Sequence, residues 1–253
     1  MSVNQLIQFG SGDLFAVPQG TYATTNPTPV RFGILQEVSV DFSGSTKELY
    51  GKNRMAVAVA ATELKITGKA KAANFSAPLV NGVFFGGTPV SGQTNRTIIN
   101  EPLTPTSGTG TVANGSTFVK DLGVFDTVTG LYMTLVTTGT PTTGQYKVAA
   151  AGVYTFPNTD TNPKLISYTY TVAASGLNFK IPNSPMGSNP QFSLYLANGQ
   201  YQGIEVNLEL YLCGSNKLTF GWKNTDWMVP EFDFYALDNG SGYVGEINAD
   251  QAN

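Results

Sequence analysis

Leu64-Lys65-Ile66-Thr67-Gly68-Lys69-Ala70-Lys71 alternates strictly, apolar or small residues on one side and charged or hydroxylated residues on the other. Glu37-Val38-Ser39-Val40-Asp41-Phe42 and Glu205-Val206-Asn207-Leu208-Glu209-Leu210 repeat the pattern. A strand sends successive side chains to opposite faces, so each stretch predicts a strand with one buried side and one wet side. Val38, Val40, Leu64, Ile66, Val206 and Leu208 are expected in the core. Glu37, Asp41, Lys65, Lys69, Glu205 and Glu209 are then expected on the opposite, aqueous face. An ordinary solvated sheet face, with Lys65, Lys69 and Lys71 opposite Glu205 and Glu209 across strands, accounts for the same pattern.

The composition fits a mostly β protein. Charged residues make up only 12% of the 253, while Gly, Thr, Ser and Asn supply turns and strands. The net charge of −3 argues against a broadly basic surface that grips nucleic acid. A single cysteine, Cys213, forbids an intrachain disulfide and fits a reducing compartment. The first ten residues lack the charged and apolar regions of a signal peptide, and no apolar run approaches membrane-spanning length. The expectation is a protein made in the cytoplasm and not inserted in a membrane.

Catalysis is hard to assemble from these residues. There is no histidine, so Ser–His and Cys–His nucleophiles are impossible and the commonest metal ligand is missing. Glu231 and Asp233 stand two apart, a spacing that strands produce by chance. Asp121, Asp126 and Asp160 lack the dense spacing of a calcium loop. Gly10-Ser11-Gly12 is not followed by the Lys-Ser/Thr of a phosphate loop. The chain is therefore read as no enzyme, with no cofactor and no metal.

Along the chain, strands are expected at 32–42, 55–60 and 63–72. Between the first two lies a polar excursion, Ser43 to Arg54, carrying Lys47, Glu48, Lys52 and Arg54. Its length predicts a projecting contact element. Ser76 to Phe85 predicts the one short helix, with Ser76 as N-cap, Pro78 in the first turn and Gly86-Gly87 as the stop. Residues 100–115, rich in Pro, Thr, Ser and Gly, read as a linker. Short strands separated by turn clusters then fill 116–174, and Asn198-Gly199 signals a two-residue hairpin. The last dozen residues read as a tail. Together these predict a β-sandwich or barrel with one flanking helix. The main domain would be discontinuous, 1–110 with 175–253, around an inserted β subdomain, 111–174.

The order of several segments resembles the major tail tube proteins of long-tailed bacteriophages. These are Phe32-Gly-Ile-Leu-Gln-Glu-Val-Ser-Val-Asp-Phe42, Thr46-Lys-Glu-Leu-Tyr-Gly51, Lys65-Ile-Thr-Gly-Lys-Ala-Lys71, Ser215-Asn-Lys-Leu-Thr-Phe220 and Pro230-Glu-Phe-Asp-Phe234. Gly144-Gln-Tyr-Lys-Val148, Gly152-Val-Tyr-Thr-Phe156 and Ile166-Ser-Tyr-Thr-Tyr170 resemble a middle region of some members. The resemblance spans most of 32–234 and covers the first thirty residues poorly. It implies a virion protein whose β-sandwich subunits form hexameric rings. The rings stack into a tube around a tape-measure protein, between tail-terminator and tail-tip proteins, and later conduct double-stranded DNA. On that reading Glu37, Asp41, Lys65, Lys69, Glu205 and Glu209 line the channel, and Lys47, Glu48, Lys52 and Arg54 reach an adjacent ring. The inserted subdomain is expected on the outside. A near-neutral lining suits a conduit, because each neutralised phosphate adds affinity and slows sliding. Other readings are a tail terminator or tail-tip protein of the same fold, a non-viral carbohydrate-binding β-module and, least, a hydrolase.

Overall fold

The computed structural model describes residues 10, 12–19, 27–74, 76–87, 89–197 and 205–249. In chain order the strands are β1 (Asp13–Gln19), β2 (Val30–Arg31), β3 (Leu35–Tyr50), β4 (Ala56–Ala72), β5 (Pro89–Leu103), β6 (Thr109–Thr111), β7 (Phe118–Asp126) and β8 (Leu131–Tyr132). They continue with β9 (Thr134–Leu135), β10 (Gln145–Ala149), β11 (Val153–Thr155), β12 (Lys164–Phe179), β13 (Gln191–Ala197), β14 (Val206–Thr219), β15 (Glu231–Ala236) and β16 (Gly245–Ala249). The chain is mostly β, a sandwich-type protein of largely antiparallel sheets, and the described residues hold one short α-helix, α1 (Ala77–Val80), and no closed barrel. It divides into two compact units, Met1–Thr88 with Phe179–Asn253, and Pro89–Asn178.

The first unit holds one eight-stranded sheet, ordered β2-β1-β13-β14-β15-β4-β3, with β16 also on β14. The 14 residues of β14 are long enough to serve two neighbours in succession along one edge. Its first half pairs β16, Leu208 opposite Ile247, and its second half pairs β15, Leu218 opposite Phe232. β13 runs along the other edge, Leu196 opposite Leu208. Leu14, Phe192, Leu194, Leu210 and Phe234 are essentially fully buried and form the centre of this core, with Phe32 stacked on Phe232 at 4.6 Å. Gly68 lies directly under Phe234, where an added Cβ would come within 2.3 Å of the ring, so no larger residue fits there without moving it. Cys213 is buried in the same core, and burial pushes its thiol up to about 12, which keeps it inert.

The helix is shorter than its sequence signals. Ser76 holds the N-cap position but makes no side-chain capping bond, and after Val80 the backbone widens into a π-turn, Asn81–Phe85. The Gly86 N–H donates to Asn81 O at 2.6 Å, and the Asn81 side chain closes on the Gly87 backbone in both directions. A buried asparagine here competes with regular helical bonding and ends the helix early.

Two further expectations about this unit change. Ser43–Arg54 is not a loop between strands. β3 runs 16 residues through Tyr50 and β4 runs 17 residues from Ala56, so the excursion is a continuation of one long hairpin with its turn at residues 51–55. The expected C-terminal tail contains β16, because Gly245–Ala249 pairs along the edge of the first half of β14, with Ile247 opposite Leu208. The Asn198-Gly199 turn lies outside the described residues, although β13 and β14 pair antiparallel as a hairpin there requires.

The second unit is a sandwich of two four-stranded sheets, β6-β11-β10-β9 and β5-β12-β7-β8. They share a core of Val124, Ile166 and Tyr168 with Tyr146, Tyr154 and Phe156. Inside, Asp121 accepts hydrogen bonds from the Tyr154 hydroxyl at 2.7 Å and from that of Tyr146, so the phenols are satisfied. This unit begins at Pro89, not at 111: β5 belongs to it, paired with β12. Residues 100–115 are no linker either, since they carry the end of β5, the strand β6 and the Asn114 turn. Turn-rich composition marks short strands as well as connections, and the two look alike in sequence.

Candidate functional site: a charged sheet face and a projecting hairpin

The register of β14, β15, β4 and β3 assembles charges from four segments into rows. In one row Glu231, Lys71 and Glu37 stand side by side; in the next, Lys217, Asp233, Lys69 and Ser39. A third row brings Tyr235, Thr67 and Asp41 together, and Lys65 stands opposite Ser43 beyond it. Signs alternate within the first two rows, and along each strand they repeat: β15 contributes Glu231 and Asp233, β4 contributes Lys71, Lys69 and Lys65. Lys71 Nζ lies 2.6 Å from Glu37 Oε2 and 3.9 Å from Glu231 Oε2, Lys69 lies 3.9 Å from Glu231, and Lys217 lies 4.0 Å from Asp233. Lys65 pairs with Glu63 at 3.2 Å. The hydrogen bond and the charge of Lys71 hold the Glu37 carboxyl below the usual glutamate range, and Glu37 raises Lys71 in return. Up to Lys65 and its partner Glu63 the face offers five acids, Glu37, Asp41, Glu63, Glu231 and Asp233, and four lysines, Lys65, Lys69, Lys71 and Lys217. Its charges nearly cancel.

The sequence reading located half of this face. Glu37, Asp41, Lys65 and Lys69 share it, as their alternation with Val38, Val40 and Ile66 demands. Glu205 and Glu209 do not meet those lysines. Glu209 sits across from Tyr195 on β13 and Glu246 on β16, and Glu205 precedes β14. β15 inserts between β14 and β4, so Glu231 and Asp233 take the places the sequence reading gave to Glu205 and Glu209. The alternation Glu231-Phe232-Asp233-Phe234, with both phenylalanines in the core, was the signal for them.

The second feature is the hairpin itself. Beyond Val40 and Ile66 its residues leave the core, and both faces of 43–50 and 57–65 are exposed. Leu64, expected in the core, is 67% exposed, and Phe42 is 53% exposed. The pairing Phe42 with Ile66 and Gly44 with Leu64 continues the core-side face outward, to Val59 opposite Glu48. The alternation is correct there, but no second layer among the described residues covers it. Lys47, Glu48, Lys52 and Arg54 lie toward the tip and are exposed, so the expected charged end does project. Alongside Lys47 and Glu48 stand exposed Leu49 and Tyr50, which the sequence reading treated as part of a polar excursion, and Met55 and Val57 of the expected strand 55–60.

Among the described residues, no cluster of three or more histidine, cysteine, aspartate or glutamate side chains could hold a metal, and no helix is long and apolar enough to cross a membrane. Compared with known proteins, the chain matches no family model and no curated protein.

Proposed function

We propose that the chain is a structural virion protein of a phage tail, the subunit of stacked hexameric rings that form the tail tube and conduct double-stranded DNA. The observation that supports this best is β3. It is a terminal strand of the sheet, 16 residues long, with β4 on one edge and no strand on the other among the described residues. Its outer half also leaves apolar side chains uncovered. A long open edge of this kind invites pairing with another chain, and a ring of sheets removes the edge. Obligate interfaces of that type bury upward of about 2,000 Å².

In the same reading the nearly cancelled charges of the β14-β15-β4-β3 face suit a channel wall that meets DNA without holding it. The hairpin tip with Lys47, Glu48, Lys52 and Arg54 reaches a neighbouring ring. The partners are further copies of the chain, a tape-measure protein during assembly and terminator and tip proteins at the ends. The test is negative-stain microscopy of concentrated protein together with its solution mass. Rings or tubes of six-fold symmetry are expected. A strictly monomeric mass, with no rings or tubes under any assembly condition, overturns the reading.

A further inference from the structure

At one end of the second unit three turns surround a cleft of about 450 Å³. Asp126 and Tyr132 come from the β7–β8 region, Thr143 from the turn before β10, and Thr159, Asp160 and Asn162 from the segment after β11. That volume falls in the range of small-molecule sites, roughly 300–1,000 Å³.

The turns are held by a buried charge. Lys164, with no exposed surface, extends its ammonium to Asp126 at 3.2 Å and Asp160 at 3.0 Å. Removing three charges from water is costly, and apolar residues of the same volume usually serve stability as well or better. What the triad does provide is position. It ties the first turn to the third, and the Val128 and Asn162 N–H groups donate to the same two carboxylates. The Thr127 hydroxyl adds a bond of 2.7 Å to Pro163 O. The walls are therefore set before any ligand arrives, which lowers the entropic cost of binding.

The lining has a definite chemistry. Tyr132 is 76% exposed, and Phe125 packs at 70° to it with 5.3 Å between ring centres, which orients the ring without covering it. The Thr143 and Thr159 hydroxyls, the Asn162 side-chain amide and the second oxygen of Asp160 make no hydrogen bond among the described residues. Donors and acceptors thus stand beside an apolar plate. Free charge is nearly absent, because Lys164 neutralises one of the two carboxylates and already occupies the place between them that a cation would take. An anion would face the remaining negative charge.

We infer that this cleft binds a neutral pyranose sugar, with an apolar ring face on Tyr132 and hydroxyls on Asp160, Asn162 and the threonines. This site is independent of the tube reading and of the charged sheet face. The test is saturation-transfer NMR on the full chain with methyl glucoside, methyl galactoside and methyl N-acetylglucosaminide. Sodium phosphate and calcium chloride serve as ionic probes, followed by amide shifts. Saturation transfer to the ring protons of at least one glycoside is expected. Tyr132→Ala, at an exposed position, and Thr159→Trp, which fills the cleft, should each weaken it about tenfold or more, whereas Tyr132→Phe should retain it. No transfer to any glycoside overturns the proposal. So does transfer undiminished in both Tyr132→Ala and Thr159→Trp, or amide shifts around the cleft with calcium or phosphate and not with the sugars.

Discussion

Lys71 and Glu37 face each other across the β3–β4 ladder, and the Lys71 ammonium donates to Glu37 Oε2 at 2.6 Å. Both are solvent-exposed, so the pair sets local charge more than it sets stability. The carboxyl is depressed and the ammonium raised, by each other first of all. The Glu37 contribution is present above the ordinary glutamate pKa and fades as pH falls through its lowered value. The Lys71 contribution is present below the ordinary lysine pKa and fades as pH rises through its raised value. The pair is thus complete at neutral pH. Side-chain carbon NMR should find Glu37 titrating below free glutamate, and Lys71→Met should move it back up. An unmoved Glu37 midpoint in that variant contradicts the pairing.

Lys164 makes the opposite case, because its charge is buried. Lys164→Met leaves Asp126 and Asp160 side by side without their cation, and such a loss costs about 3–5 kcal/mol. Denaturant unfolding read on the tyrosines of the second unit is the measurement. A change within the error of a surface substitution refutes the role given to the triad.

Acid should act on the same group. Burial alone would raise the Asp126 carboxyl, but the Val128 N–H, Lys164 and Thr129 together outweigh it and leave it lowered. A lowered carboxyl lends stability above its unfolded pKa, near 4, that disappears as pH falls through the folded value. The second unit should lose stability below about pH 4, and Asp126→Asn should flatten that dependence. A pH profile identical in the two proteins counts against it.

The projecting hairpin should be dispensable for folding and required for assembly. Val57→Lys with Val59→Lys changes only exposed positions, so melting should shift by no more than a surface substitution, within about 0.5 kcal/mol. Tubes or rings should fail to form in micrographs. Normal tubes from the double variant would remove the hairpin from the interface.

The charged face can be tested by unbalancing it. Glu37→Lys with Asp41→Lys turns a nearly neutral face positive while leaving the core untouched. Assembled protein should then retain duplex DNA, with an affinity that falls by about 0.9 logarithmic units per phosphate contacted for each tenfold rise in salt. DNA retention equal to that of the unaltered protein would separate this face from the channel.

The sequence alone was sufficient for the local facts. Alternation around Val38, Ile66 and Leu208 determined which side of each strand is apolar, because side-chain period two is a property of extended backbone. Missing histidine limited the chemistry, and Pro78 placed the start of the helix, whereas the buried Asn81 and not Gly86-Gly87 sets its end. Tertiary structure decided what each face meets. Lys71 finds Glu231, and not Glu205 or Glu209, because β15 enters the sheet between β14 and β4, and no local pattern specifies the neighbour of a strand. Leu64 repeats the pattern of Ile66 but is exposed, since burial depends on a second layer that ends before reaching it. Lys164 reads in sequence as one more soluble lysine. Only the fold, by bringing Asp126 and Asp160 to its ammonium, made it a buried cation.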